Sequence, residues 1–230
     1  MNRRLRVLSL STLFPASTRP AFGGFVARQM AAVAARGDID LVMVNPIGLP
    51  PWPLSCREPY ATLRRNPATS QLTGLTVHHP CFLSIPTCTQ HNPARIARAV
   101  LPLARRLHAE APFDLVDAQF LFPDGPAAML VASRLGLPFT MKARGSDVQY
   151  WSTRPAALKQ MCAAARSTAG MFAVSEALRS DMIQLGMPGA AIKVHYTGVD
   201  HARFHPFPRA LARAEACAAL GLTLRATRRC

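Results

Sequence analysis

The chain has 230 residues, half of them hydrophobic and 17% charged, a balance that excludes a disordered protein and suits one large globular domain or two small ones. Lysine and arginine outnumber acids 27 to 12, for a net charge of +15, which raises nucleic acid and anionic membrane as partners; only three of those cations are lysines (Lys142, Lys159, Lys193), so the excess reads as an arginine bias. No apolar run reaches the roughly 18 residues of a membrane-spanning helix, and six scattered cysteines without a C-x-x-C pair argue against a disulfide framework.

Arg3, Arg4 and Arg6 before an apolar stretch imitate a secretory signal, but hydroxyl residues interrupt it and the same residues make a good first strand over 6–11. A loop with Pro15, Pro20, Gly23 and Gly24 leads into a helix over 25–36, with Phe25, Val26, Met30 and Val33 on one side and Gly37 just past its end. A strand over 39–44 follows. The prolines at 46, 50, 51, 53 and 59 predict irregular structure over 45–67. A strand is expected over 75–79, and a helix over 93–110 with Ile96, Val100, Leu103 and Leu107 inward. Its Arg95, Arg98, Arg105 and Arg106 could lie against anionic lipid or simply form a solvated face. His78, His79, Cys81, Cys88 and His91 are too loosely spaced, and too interrupted by proline, for a zinc site.

Strands over 115–119, 139–142, 171–174 and 192–195 then alternate with helices over 125–135, 156–165 and 176–185. This is the pattern of a doubly wound α/β domain with a parallel sheet, running to about residue 206, before a helix over 210–220 and a basic tail. Ligands of such sheets bind beyond the carboxyl ends of the strands. Gly23-Gly24 stands before a helix N-terminus, which suits a phosphate or a plain tight turn. Gln119-Phe120-Leu121-Phe122-Pro123-Asp124-Gly125 joins a strand to a helix, and Asp124 either faces the cleft or caps that helix. Lys142-Ala143-Arg144-Gly145-Ser146-Asp147 gathers two cations, a glycine and a carboxylate at one strand end, a cluster able to hold an anion and orient hydroxyls. The dinucleotide fingerprint, the P-loop and the G-x-S-x-G elbow are absent.

Gly23-Gly24, Phe113-Asp114-Leu115-Val116-Asp117-Ala118, Pro123-Asp124-Gly125, Gly136-Leu137-Pro138, Arg144-Gly145-Ser146-Asp147, Val174-Ser175-Glu176-Ala177-Leu178 and Thr197-Gly198-Val199-Asp200, with Phe204 and Pro206, stand in an order that resembles the N-terminal domain of family 4 glycosyltransferases of the polysaccharide-building type. The resemblance implies the Rossmann-like N-terminal half of a GT-B fold over 1–206, an interdomain helix and atypical basic tail over 207–230, and a missing second domain. It implies transfer of a sugar, with retention, from a nucleotide-diphospho-sugar to a glycan or lipid-linked acceptor, with no metal or other cofactor. Gly23 and Gly24 would approach the donor diphosphate. Gln119, Asp124, Arg144, Gly145, Ser146, Asp147, Ser175 and Glu176 would line the acceptor cleft, with Arg144 and Asp147 the catalytic candidates and Gly198 and Asp200 the hinge. Many relatives carry His where Arg144 stands; a guanidinium cannot act as a base near neutral pH. The tail Thr223-Leu224-Arg225-Ala226-Thr227-Arg228-Arg229-Cys230 comes where relatives continue for roughly another 100 to 200 residues, which reads as truncation and predicts little or no transfer by the isolated chain. A cytoplasmic protein is expected, in peripheral contact with the inner face of an anionic membrane and binding no specific nucleic acid. A non-catalytic acceptor-binding or membrane-binding domain is the alternative, ahead of a nonspecific nucleic-acid binder.

Overall fold

A computed structural model describes residues 3–202 and 204–222 of the chain, so the tail expected to be atypical lies outside the described residues. Among the described residues ten strands and eight α-helices follow one another as β1 (Leu5–Leu10), α1 (Gly24–Ala34), β2 (Ile39–Val44), β3 (Ile47–Leu49), α2 (Tyr60–Arg64), β4 (Thr69–Leu72), β5 (Leu75–His78), β6 (Cys81–Leu83), α3 (Asn92–Glu110), β7 (Leu115–Ala118), α4 (Asp124–Leu135), β8 (Phe139–Ala143), α5 (Ser146–Trp151), α6 (Pro155–Ser167), β9 (Gly170–Ala173), α7 (Glu176–Gln184), β10 (Ile192–Val194) and α8 (Arg209–Leu220). Eight strands form one sheet in the order β10-β9-β8-β7-β1-β2-β5-β4. All pairs are parallel except β4 with β5, a hairpin whose turn residues Thr73 and Gly74 both have positive φ. The direction of winding reverses between β1 and β7, which makes that crevice the topological switch point. The chain divides into two units between Thr197 and Gly198, and the sheet belongs wholly to the first.

One face of the sheet carries Leu8, Leu10, Val44, Val116, Ala118, Met141, Met171 and Ile192 into the main core with residues of α3, α4, α6 and α7. On α3 the inward residues are Ile96, Val100, Ala104 and Leu107, at the period a one-sided helix requires. The opposite face is covered by α1, whose Val26, Ala27 and Met30 pack on Phe14, Met43 and Val77. The amino-terminal arginines have structural work: Arg6 donates to the carbonyl oxygens of Leu107 (3.0 Å) and Ala111 at the carboxyl end of α3, and pairs with Asp40 at 2.8 Å.

Two expectations need correction. Residues 45–67 are not wholly irregular, since β3 and α2 lie there; their prolines fall outside the elements, with Pro59 at the N-cap of α2, where a missing N–H costs no helical hydrogen bond. Phe25 was expected with the inward residues of α1 but is 38% exposed, and Ala27 takes the inward place. Among the described residues no three His, Cys, Asp or Glu side chains come close enough to hold a metal ion, and no helix is long and apolar enough to cross a membrane.

Candidate active site

Strands buried on both faces of a parallel sheet are ordinarily apolar throughout, yet β7 and β8 alternate. On the α1 side, Ser9, Asp117 and Thr140 stand in register across β1, β7 and β8. The Asp117 carboxylate accepts from Thr140 Oγ1 at 2.8 Å, from Ser9 Oγ at 3.3 Å and from Gln119 Nε2. Burial pushes its pKa up, against those hydrogen bonds and the attraction of Arg144.

Just past the carboxyl end of β8, Arg144 is held from several sides. Its Nε donates to Gln119 O at 3.1 Å, Nη2 donates to Gln119 Oε1, and Nη1 donates to Gln29 Oε1 of α1 at 2.7 Å. Its guanidinium carbon lies 5.6 Å from the centre of the Phe25 ring. Burial lowers its pKa to about 10, opposed by Asp117 and Asp147, so it stays cationic at neutral pH. Beside it, Lys142 is only 3% exposed, and its Nζ lies 2.9 Å from His195 Nδ1, just beyond β10. The cluster therefore spans the switch point from α1 to β10 and carries excess positive charge.

The carboxylates nearby are turned inward. Asp147 Oδ1 accepts from the backbone N–H groups of Arg144 (2.9 Å), Gly145 (2.8 Å) and Val148 (3.0 Å), and Oδ2 from Leu121 at 2.7 Å. Gly145 serves that turn with φ +114, a conformation side-chain-bearing residues rarely adopt. Asp124 is fully buried and sits inside the first turn of α4; Thr12 donates to its two oxygens, from Oγ1 at 2.8 Å and N at 2.9 Å. Gly23 has φ +68 at the N-cap of α1, and a Cβ there would lie 2.5 Å from Leu13 O, so close backbone packing accounts for this glycine without a ligand. Gly24 has open space, with only Arg28 Nη1 near, at 3.8 Å.

The family model for glycosyltransferase family 4 matches residues 56–203, more than half of the chain and including β7, β8 and the Arg144 turn. The chain belongs to glycosyltransferase family 4. This family 4 chain is 26% identical over 207 residues to the putative teichuronic acid biosynthesis glycosyltransferase TuaC of Bacillus subtilis, covering 87% of the chain and 51% of that relative. In fold it is similar to Anabaena HepE, solved in complex with UDP-glucose (TM-score 0.58, 15% identity, 95% of this chain and 50% of that one). It is likewise similar to a sucrose-phosphate synthase from Thermosynechococcus elongatus (TM-score 0.67, 12% identity, 96% and 53%). The fold is the Rossmann-like half of GT-B glycosyltransferases, and the chain spans about half the length of the relatives it matches.

Of the residues expected in the family 4 cleft, the structure brings Gln119 and Arg144 together and sets Gly145 and Asp147 in the turn beneath them. Ser146 is exposed at the start of α5. Ser175 caps α7, its hydroxyl accepting from Leu178 N at 3.1 Å, and Glu176 is exposed, 3.8 Å from Arg179. Gly198 and Asp200 begin the second unit, where Asp200 accepts from Ala202 N at 3.0 Å. Gln29 and His195 escaped the sequence reading because nothing in a lone Gln or His marks it. Asp117 and Lys142 were in view, and their place in alternating apolar-polar strands was the available signal.

Proposed function

We propose that this family 4 chain supplies the acceptor-side part of a retaining glycosyltransferase site, which moves a sugar from a nucleotide-diphospho-sugar to a glycan or lipid-linked acceptor. One observation carries the reading: a guanidinium fixed by Gln119 and Gln29 at the switch point, in a chain of this family. HepE, solved with UDP-glucose, and TuaC, a putative teichuronic acid biosynthesis glycosyltransferase, support the substrate classes. Asp117, Asp124 and Asp147 are all engaged by hydrogen-bond donors, which leaves none of the three poised as a general base. This side of the site therefore works by orientation and charge. A fixed cation is what an oxocarbenium-like transfer needs when negative charge grows on the departing diphosphate. Peripheral contact with an anionic membrane on the cytoplasmic side belongs to the same proposal, since a lipid-linked acceptor resides there.

Arg144→Lys keeps the charge but loses the fork that grips Gln119 and Gln29. Calorimetric titration of the 230-residue protein with nucleotide sugars and acceptor oligosaccharides should show binding weakened about tenfold or more in the variant, the scale of a charge-assisted hydrogen bond. Equal affinities would overturn the role given to Arg144. The anomeric configuration of any product, read by NMR, decides retention.

A further inference from the structure

We propose that Lys142 and His195 form a second anion site, beside Arg144 on the α1 side of β8 and β10, which takes one phosphate group of a diphosphate ester. The site itself rests on these residues alone; only the source of the ester rests on the transfer reading above.

The geometry is that of an unfinished donor set. Lys142 is 3% exposed, and among the described residues its single hydrogen-bond partner is His195 Nδ1 at 2.9 Å. An ammonium has three donors and no acceptor, so Nδ1 must accept and the imidazole proton must sit on Nε2. Gln29 Nε2 stands 3.4 Å from the same Nδ1, and Gln29 Oε1 is held by Arg144, which fixes the amide's orientation. Two ammonium donors and the Nε2–H group thus remain for an acceptor carrying several oxygens.

The charge balance points the same way. Burial holds the His195 pKa below the usual imidazole range, and the two cations Lys142 and Arg144 add to the effect. Among the described residues Asp117 is the one carboxylate that acts on Lys142, and its oxygens already receive Thr140, Ser9 and Gln119. Burial, with Arg144 adding to it, lowers the Lys142 pKa to about 8. A buried ammonium offered one neutral nitrogen is costly unless an anion completes its shell. Phosphate oxygens match this need in number and charge.

The test is NMR of the His195 ring in the 230-residue protein during titration with sodium pyrophosphate. A saturable shift at constant ionic strength is expected. Lys142→Met, which removes a buried charge at similar volume, should fold and bind pyrophosphate about tenfold or more weakly, as loss of a charge-assisted hydrogen bond predicts. His195→Gln, at an exposed position, provides a second variant and should also weaken binding. Absence of any shift at millimolar pyrophosphate, or unchanged affinity in Lys142→Met, would overturn the site. UDP and farnesyl diphosphate then separate the sources: Lys142-dependent binding of UDP identifies the donor side, and that of farnesyl diphosphate the lipid-linked acceptor. Binding of inorganic pyrophosphate with neither ester would mean an adventitious ion only and would also overturn the proposal. Failure here with Arg144-dependent nucleotide-sugar binding intact would leave the function proposed above standing.

Discussion

The carboxylates at the carboxyl edge of the sheet show how burial changes what a residue does. Asp124 ties the loop after β1 to the start of α4 through Thr12, and burial pushes its pKa up to about 7, with the Thr12 bonds opposing and Asp147 adding to the rise. Its folded pKa lies above the ordinary aspartate value of 3.8. The sign follows: the folded state holds a proton that the unfolded chain has lost, so the contribution of Asp124 to stability is full below 3.8 and is lost as pH rises through about 7. At about 1.4 kcal/mol per pKa unit the whole effect is on the order of 4 kcal/mol. Asp124→Asn should therefore flatten the melting temperature between pH 4 and 8 and raise it at the upper end, checked by thermal denaturation across that range. A pH dependence identical to that of the natural sequence would contradict this account. The Thr12 bonds are also why Asp124, which sequence reasoning offered as a cleft residue or a helix cap, serves to join two loops.

At the scale of elements, α3 and the segment before α2 divide the two requirements for membrane contact. The outward side of α3 presents Arg98, Arg105 and Arg106, with Arg106 paired to Glu110 at 2.8 Å, while Ile96, Val100, Ala104 and Leu107 are buried. It offers mainly charge. Around α2, Trp52 is 80% exposed and Leu54 47%, close in sequence to the exposed Arg57, Arg64 and Arg65. An apolar anchor beside cations is what interfacial binding requires. Co-sedimentation with anionic vesicles should fall sharply in a Trp52→Ala, Leu54→Ala double variant, and less, in a salt-sensitive way, when Arg98, Arg105 and Arg106 become Glu. Binding unaffected by the double variant would move the contact elsewhere. The sequence had pointed to α3 because helical arginines are conspicuous, whereas exposure of a tryptophan between prolines is set by tertiary packing.

For the whole molecule, the division between Thr197 and Gly198 is the main architectural fact beyond the sheet. Residues 198–202 and 204–208 are exposed and belong to no helix or strand, and Tyr196, Phe204 and Phe207 are exposed as well. Brief chymotrypsin treatment of the native protein should cut first at these aromatics and leave a fragment that keeps the melting transition of the sheet domain. Early cuts within residues 5–194 would contradict that division.

The doubly wound order was legible in the sequence because it depends on local pattern: apolar strands, helices with one inward side, and glycine or proline at the breaks. Arg144 and Gln119 were legible because loops at strand ends are where such folds bind ligands. What the sequence could not supply was partnership. That Asp147 spends its oxygens on four backbone N–H groups, that Gln29 reaches Arg144 from α1, and that Lys142 meets His195 all depend on contacts between segments far apart in the chain. Pattern records which face a residue takes; only the folded sheet, by setting β1, β7, β8, β9 and β10 side by side in register, decides which polar groups meet and which charges are left without a counter-ion.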